Sequence, residues 1–293
     1  MKLYLDGEKL LKVARDSRER YASAPPFPHI ALDGLLPDEA LATVLHEFPD
    51  LASPVWKEYR NYHEGKLETQ GEEHIGAFTS LLMYQFNSAP FLQFLEELTG
   101  ITGLIPDPYF YGGGLHQIPR GGKLGIHADF SRHGRLPLDR RVNVIIYLNH
   151  DWKDEYGGHL ELWAPDMSRC VEKISPIYNR TVVFSITDWA FHGHPDPLAC
   201  PEGMTRKSIA LYYFTNGRPP GETRQDKRST LFLQRPGEIV PPGTIFSRDK
   251  YTGVRGQPVL TPRSGLLPGA NRLLKMVTPP ILIDLARYVT RRR

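Results

Sequence analysis

His127 and Asp129 stand two residues apart in the stretch Ile126-His127-Ala128-Asp129-Phe130, just after Arg120-Gly121-Gly122-Lys123. In an extended segment successive side chains point to opposite faces. An imidazole and a carboxylate at this spacing therefore share one face, and Ala128 turns away. Such a pair can fill two adjacent corners of a metal's coordination sphere. A third ligand from elsewhere completes a two-His-one-carboxylate face with open positions opposite, the arrangement of non-haem Fe(II) and oxygen chemistry. The tripeptide alone is a weak motif, so the rest of the chain has to supply the third ligand and a site for a cosubstrate.

The second half offers Phe191-His192-Gly193-His194-Pro195, after the β-rich run Thr181-Val182-Val183-Phe184-Ser185-Ile186-Thr187. His192 and His194 would face the same way if extended, so spacing leaves both open as the third ligand. His29, His46, His63, His74, His133 and His150 have no metal-like context. Next comes Arg206-Lys207-Ser208-Ile209-Ala210-Leu211-Tyr212. In a strand, Arg206, Ser208, Ala210 and Tyr212 share a face. A buried Arg left unpaired costs about 3–5 kcal/mol, so an inward Arg206 needs an anion. Its planar fork suits a carboxylate taken bidentately, and Ser208 adds a hydroxyl donor. The anion is either an internal Asp or Glu or a bound dicarboxylate. In a chain that also carries His127, Asp129 and His192, the bound dicarboxylate is preferred.

Taken as an ordered set, these residues resemble the Fe(II)/2-oxoglutarate-dependent oxygenases, on the prolyl 4-hydroxylase-like branch. The carrying residues are His127-Ala128-Asp129, the spacing to Phe191-His192-Gly193-His194-Pro195, and Arg206-Lys207-Ser208. The strand Val142-Asn143-Val144-Ile145-Ile146-Tyr147-Leu148-Asn149, followed by Trp152 and Gly157-Gly158, belongs to the same pattern. The resemblance covers about residues 109–216. It implies a double-stranded β-helix, or jelly roll, around a metal held by His127, Asp129 and His192. It also implies that Arg206 and Tyr147 hold the distal carboxylate of 2-oxoglutarate, with Ser208 beside them. The activity implied is hydroxylation of an unactivated C–H on a prolyl, amino-acid-type or small-metabolite substrate. Fe(II), 2-oxoglutarate and O2 are consumed or required, succinate and CO2 are released, and ascorbate is admitted as a reductant. A carboxylate at Asp129 favours hydroxylation over halogenation, for which that ligand is absent in related enzymes, and leaves desaturation and ring formation open.

The elements that must position these groups follow from periodicity. Residues 7–22 read as an amphipathic helix ended by Pro25, Pro26 and Pro28, and residues 30–32 as a short strand. Pro37-Asp38-Glu39 opens a second helix with Ala40, Leu41, Val44, Leu45 and Phe48 as its buried stripe. Residues 54–62 look extended, and residues 74–86 and 90–98 give two more helices. Residues 1–108 are thus expected to be mainly helical support. From 109 the period changes to alternation, with strands expected at 109–111, 115–118, 125–130, 141–149, 159–164, 181–187 and 206–215. Short strands at this spacing suggest a mainly β core with helical support, a two-sheet roll over 109–216. Residues 217–293 read as a Pro/Gly-rich arm and a C-terminal helix over 279–293, the whole making one compact domain. Tyr109, Tyr111, Phe130 and Trp163 are candidates for the substrate side or the core, and the loops at 131–140 and 216–260 for lids.

Composition narrows the classes. The chain has 293 residues, 40% hydrophobic and 24% charged, which fits an ordinary globular protein. Two cysteines, Cys170 and Cys200, exclude a disulfide framework and a cysteine zinc site, and no apolar run is long enough to span a bilayer. Without a signal-like N-terminus, a cytoplasmic setting is expected. The net charge of +3 gives little reason to expect nucleic acid. A peptide or small-molecule substrate is expected, and oligomeric state is left unassigned. Two rival readings are a non-catalytic cupin-like metal-binding or sensor protein and a nucleic-acid demethylase of the same chemistry.

Overall fold

Strict alternation in the strands at Asp139–Tyr147 and Thr205–Thr215 sets the architecture. Val142, Val144, Ile146, Ile209, Leu211 and Tyr213 point one way into a large apolar core, while Asn143, Ile145, Ser208, Ala210 and Tyr212 point the other way into a cavity. The computed structural model describes residues 3–69, 75–219, 229–244 and 246.

Two antiparallel sheets face each other. The larger has eight strands, in the order β1 (His29–Asp33), β10 (Arg180–Ser185), β7 (Asp139–Tyr147), β12 (Thr205–Thr215), β5 (Gly114–Pro119), β3 (Gly65–Thr69), β2 (Trp56–Arg60), with β4 (Ile105–Pro106) pairing to β12. The smaller runs β13 (Leu231–Phe232), β6 (Leu124–Ala128), β11 (His192–His194), β8 (Leu160–Trp163), β9 (Cys170–Ile174). This is the jelly-roll core. An isolated bridge between Glu64 and Leu124 ties the start of β3 to β6 and links the two sheets along one seam.

Among the described residues, four helices back the outer face of the larger sheet. They are α1 (Gly7–Ser23), α2 (Asp38–His46), α3 (Ala77–Phe86) and α4 (Ala89–Thr99). α1 starts where Asp6 accepts from the backbone N–H of Glu8 and Lys9, both at 3.1 Å. α4 ends at Gly100, whose φ of 71° is the left-handed conformation that a helix stop needs. Phe86, Phe91, Phe94 and Leu98 are wholly buried against Val144, Leu211 and Tyr213, and the Tyr213 hydroxyl donates to the Phe86 carbonyl at 3.0 Å. Burying such aromatic and aliphatic side chains stabilises by roughly 1.5–3 kcal/mol each, which makes the sheet a rigid floor for the cavity.

The front of the chain is less purely helical than its periodicity suggests. β1 pairs with β10, and the hairpin β2–β3 extends the larger sheet beyond β5. Lys66 and Glu68 put charge on one face of Gly65–Thr69 and Leu67 is the sole apolar side chain on the other, which hides the second half of that hairpin from a periodicity reading. The strand expected at 109–111 is instead a turn. Asp107 accepts from the backbone N–H of Tyr109 and Tyr111 at 2.9 and 2.6 Å, and Phe110 takes φ 47°. Strands at Cys170–Ile174 and His192–His194 were not expected; the first carries exposed charges and the second is only three residues long. The expected C-terminal helix at 279–293 lies outside the described residues, as do His74, 220–228 and nearly all of the arm beyond 244.

Candidate active site

His127 lies on β6 and His192 on β11, and the ladder sets them directly opposite each other with ring centroids 4.4 Å apart. Each ring is fixed the same way. Nδ1 of His127 meets the Gly125 carbonyl, and Nδ1 of His192 meets the Ala190 carbonyl, both at 2.9 Å. A carbonyl only accepts, so each Nδ1 carries the hydrogen and each Nε2 is the bare nitrogen a metal needs. Asp129 follows β6 by one residue. Its Oδ1 is 3.5 Å from His127 Nε2, and its Oδ2 is 3.5 Å from His192 Nε2. One ligand atom from each of the three residues lies within 4.8 Å of the others, and all three are buried.

The carboxylate is held from behind. Asn143 Nδ2 donates to Asp129 Oδ2 at 2.7 Å, and Arg140 Nη2 lies 3.1 Å from the same oxygen. Arg140 is itself fixed by its Nε bond to Asn143 Oδ1 at 2.8 Å and by the Tyr212 and Phe130 rings, 3.4 and 4.3 Å from its guanidinium carbon. Burial alone would raise the Asp129 carboxyl, but Arg140, His192 and His127 outweigh it and hold the pKa well below the usual value. Burial, reinforced by the neighbouring His127, pushes His192 down to about 4. The triad thus presents a neutral His192 imidazole and an ionised Asp129 near neutral pH, with Nε2 of His127 turned toward both. Two nitrogens and one oxygen on one face form the donor set suited to Fe(II).

A cavity of about 870 Å³ opens between the sheets onto these three residues and onto Arg206 and Ser208. Arg206 is 5% exposed, and no carboxylate among the described residues pairs with it. Its Nε donates to the Gly158 carbonyl at 2.8 Å and its Nη2 to the Tyr147 hydroxyl at 3.0 Å. Burial lowers its pKa, against the opposing effect of Tyr147; burial also raises the Tyr147 phenol, so that hydroxyl stays protonated. Tyr147 meets the guanidinium without lining the cavity itself, whereas Ser208 lines it and sits level with Tyr147 in the ladder. Gly158 explains the Gly-Gly pair: at φ 72°, a Cβ there would stand 2.6 Å from Leu198 and 3.0 Å from Arg206 Cδ.

His194 lines the same cavity but is not among the three converging residues. The ladder shifts register between His192 and His194, so His194 comes opposite Leu124. Tyr109, Tyr111 and Phe130 also line the cavity, while Trp163 does not: it packs with Ile126, Ala128 and Phe191 in a separate cluster. Several wall residues escaped the sequence reading. Asn143 had a signal, as an amide inside the apolar run Val142-Asn143-Val144. Arg140, His116, Lys66 and Glu68 had none, because their strands carry polar residues on both faces.

Comparison with known proteins agrees with this geometry. Residues 113–214 match the family model of the 2OG-Fe(II) oxygenase superfamily. No curated protein matches the chain. Among solved structures, a prolyl hydroxylase from Trichoplax adhaerens, in complex with a hypoxia inducible factor oxygen degradation domain peptide fragment, superposes with a TM-score of 0.52 at 20% identity, covering 71% of this chain and 91% of its own. A Pseudomonas putida prolyl-4-hydroxylase gives 0.49 at 16% identity, over 70% of this chain and 100% of its own. HygX from Streptomyces hygroscopicus, with nickel and 2-oxoglutarate bound, gives 0.46 at 11% identity, over 75% and 96%.

Proposed function

We propose that this chain, whose residues 113–214 match the family model of the 2OG-Fe(II) oxygenase superfamily, is an oxygenase of the prolyl 4-hydroxylase-like branch that hydroxylates a prolyl, amino-acid-type or small-metabolite substrate through iron held by His127, Asp129 and His192. The carrying observation is the convergence of three buried donors from two strands and a strand end, beside a buried Arg206 that no carboxylate of the described chain neutralises. When bound, the iron supplies, with 2-oxoglutarate and O2, the oxidising chemistry that puts one oxygen into a C–H bond while the cosubstrate leaves as succinate and CO2.

The protein's own part is binding, orientation and exclusion of water. The backbone carbonyls of Gly125 and Ala190 fix both imidazoles with Nε2 bare. Asn143 and Arg140 keep Asp129 ionised and aimed. Arg206 takes the distal carboxylate of 2-oxoglutarate bidentately, with Tyr147 positioning the guanidinium and Ser208 adding a hydroxyl. Substrate enters on the side of Tyr109, Tyr111 and Phe130, where the two tyrosines are half-exposed. The peptide held by the Trichoplax neighbour is the reason to include prolyl peptides beside free amino acids in a substrate screen.

Purified protein is expected to release succinate from 2-oxoglutarate only when Fe(II) and O2 are both present. Asp129→Ala and His192→Ala abolish that release, whereas His194→Ala keeps it at saturating cosubstrate. Release without added iron, or an active Asp129→Ala, would overturn the reading. A sensor that binds iron without turnover would release no succinate at all.

A further inference from the structure

The role of His194 lies outside the metal triad. The side chain is 3% exposed, and neither ring nitrogen has a hydrogen-bond partner among the described residues. Buried polar atoms in folded proteins are almost always paired, so two orphaned nitrogens on one ring mark a place that a ligand or water completes. The ring faces the cavity, on the same wall as His192 but displaced by the register shift between them. Its ladder neighbour Leu124 bridges to Glu64, so His194 lies along the seam where the two sheets meet. Arg206 and Ser208 line the same cavity as His194.

Among the described residues, no side-chain carboxylate is free to accept from His194. Asp129 is engaged by Arg140 and Asn143. Glu68 accepts from the Tyr59 hydroxyl at 2.5 Å and pairs with Lys57 and Lys66, and Glu64 pairs with Lys66. Among the described residues, Arg206 is bonded only through Nε and Nη2, to the neutral oxygens of Gly158 and Tyr147. A carboxylate placed on Arg206 has about four lone-pair sites, of which the guanidinium fork uses two. A neutral imidazole brings one N–H and one bare nitrogen, enough for one of the remaining sites and for a bound water.

We propose that His194 is a cosubstrate-binding residue whose ring N–H completes, with Arg206 and Ser208, the pocket for the distal carboxylate of 2-oxoglutarate. The proposal rests on the oxygenase reading above. It gives the second His of His192-Gly193-His194 a task different from the first.

The test compares wild type, His194→Phe and His194→Gln, loaded with Mn(II) under anaerobic conditions. Titration calorimetry measures the metal, 2-oxoglutarate and 2-oxobutyrate, which keeps the oxo-acid end but lacks the distal carboxylate. His194→Phe is expected to weaken 2-oxoglutarate about tenfold or more, the worth of a hydrogen bond to a charged group. It should leave Mn(II) and 2-oxobutyrate affinity within twofold of wild type. His194→Gln, which keeps a donor, recovers part of the loss and carries the test should the Phe variant fail to fold. An unchanged 2-oxoglutarate affinity in both variants overturns the proposal, as does an equal loss for both oxo acids or a loss of Mn(II). Wild type that binds neither oxo acid overturns the oxygenase reading itself, an outcome distinct from a wild type that binds normally while His194 proves indifferent.

Discussion

Replacing Arg206 with Met should cost the fold almost nothing while removing the cosubstrate. The guanidinium is buried and lacks a carboxylate partner among the described residues. A desolvated, unpaired ion carries a penalty of several kcal/mol, which the substitution relieves. Against that, the Gly158 carbonyl and the Tyr147 hydroxyl each lose a donor, at about 1–3 kcal/mol apiece if they stay dry. The two effects nearly cancel. At roughly 2–4 °C per kcal/mol for a chain of this size, the ligand-free Tm should move by only a few degrees in either direction. Binding responds differently. Truncating one member of a desolvated charge pair costs about 2–5 kcal/mol, roughly a 30- to several-thousand-fold weaker Kd. In wild type, 2-oxoglutarate at 100 times its Kd adds about 2.7 kcal/mol, which raises Tm by about 5–10 °C. The same concentration should raise the Tm of Arg206→Met by about 3 °C at most, and by nothing measurable at the weaker end of that range. Differential scanning fluorimetry of the Mn(II)-loaded proteins, with and without ligand, reads both numbers. A ligand-free drop above about 10 °C, several kcal/mol on the same scale, would reveal an internal acid partner for Arg206, and a ligand shift as large as that of wild type would show that the carboxylate binds elsewhere.

Three other outcomes follow from the same geometry. Asn143→Leu removes the 2.7 Å bond to Asp129 Oδ2 and should weaken metal binding about 10- to 100-fold, measured by chelator competition. Gly158→Ala forces a methyl group onto Leu198 and Arg206 from a backbone at φ 72°; it should raise the KM for 2-oxoglutarate more than it lowers kcat. Burial lowers His116 and His192 to about 4 from an ordinary value near 6.5, so the unfolded chain binds protons that the folded chain refuses between those values. Stability is then full above pH 6.5 and falls as pH drops toward 4, by about 1.4 kcal/mol per unit for each group, or roughly 3 kcal/mol apiece. A Tm of the metal-free protein that stays flat from pH 7 to 4.5 would contradict that burial.

The fold was legible where one period ran unbroken. Ala40, Leu41 and Val44 gave α2, and the alternation of Val142, Val144 and Ile146 gave β7 together with the face it buries. It failed where side-chain chemistry competes with the backbone pattern, as at Asp107, whose carboxylate pulls Tyr109 and Tyr111 into a turn. The β2–β3 hairpin was only half read, because Lys57, Glu58, Lys66 and Glu68 carry charge on strands whose inner face lines a polar cavity rather than an apolar core. In the candidate site, His127, Asp129, His192, Arg206 and Ser208 all turn toward one cavity, as alternation required. Spacing could not part His192 from His194, since the register shift between them exists only in the paired ladder. Nor could it reveal Arg140, whose purpose lies in Asp129 and two aromatic rings brought to it from other strands.

The most direct measurement is a crystal structure of the protein soaked with Mn(II) and 2-oxoglutarate, read by anomalous scattering. One metal peak is expected between Nε2 of His127, Nε2 of His192 and a carboxylate oxygen of Asp129, with the distal carboxylate of the cosubstrate on Arg206. A peak on His194 in place of His192, or a cosubstrate lying away from Arg206, would contradict the account.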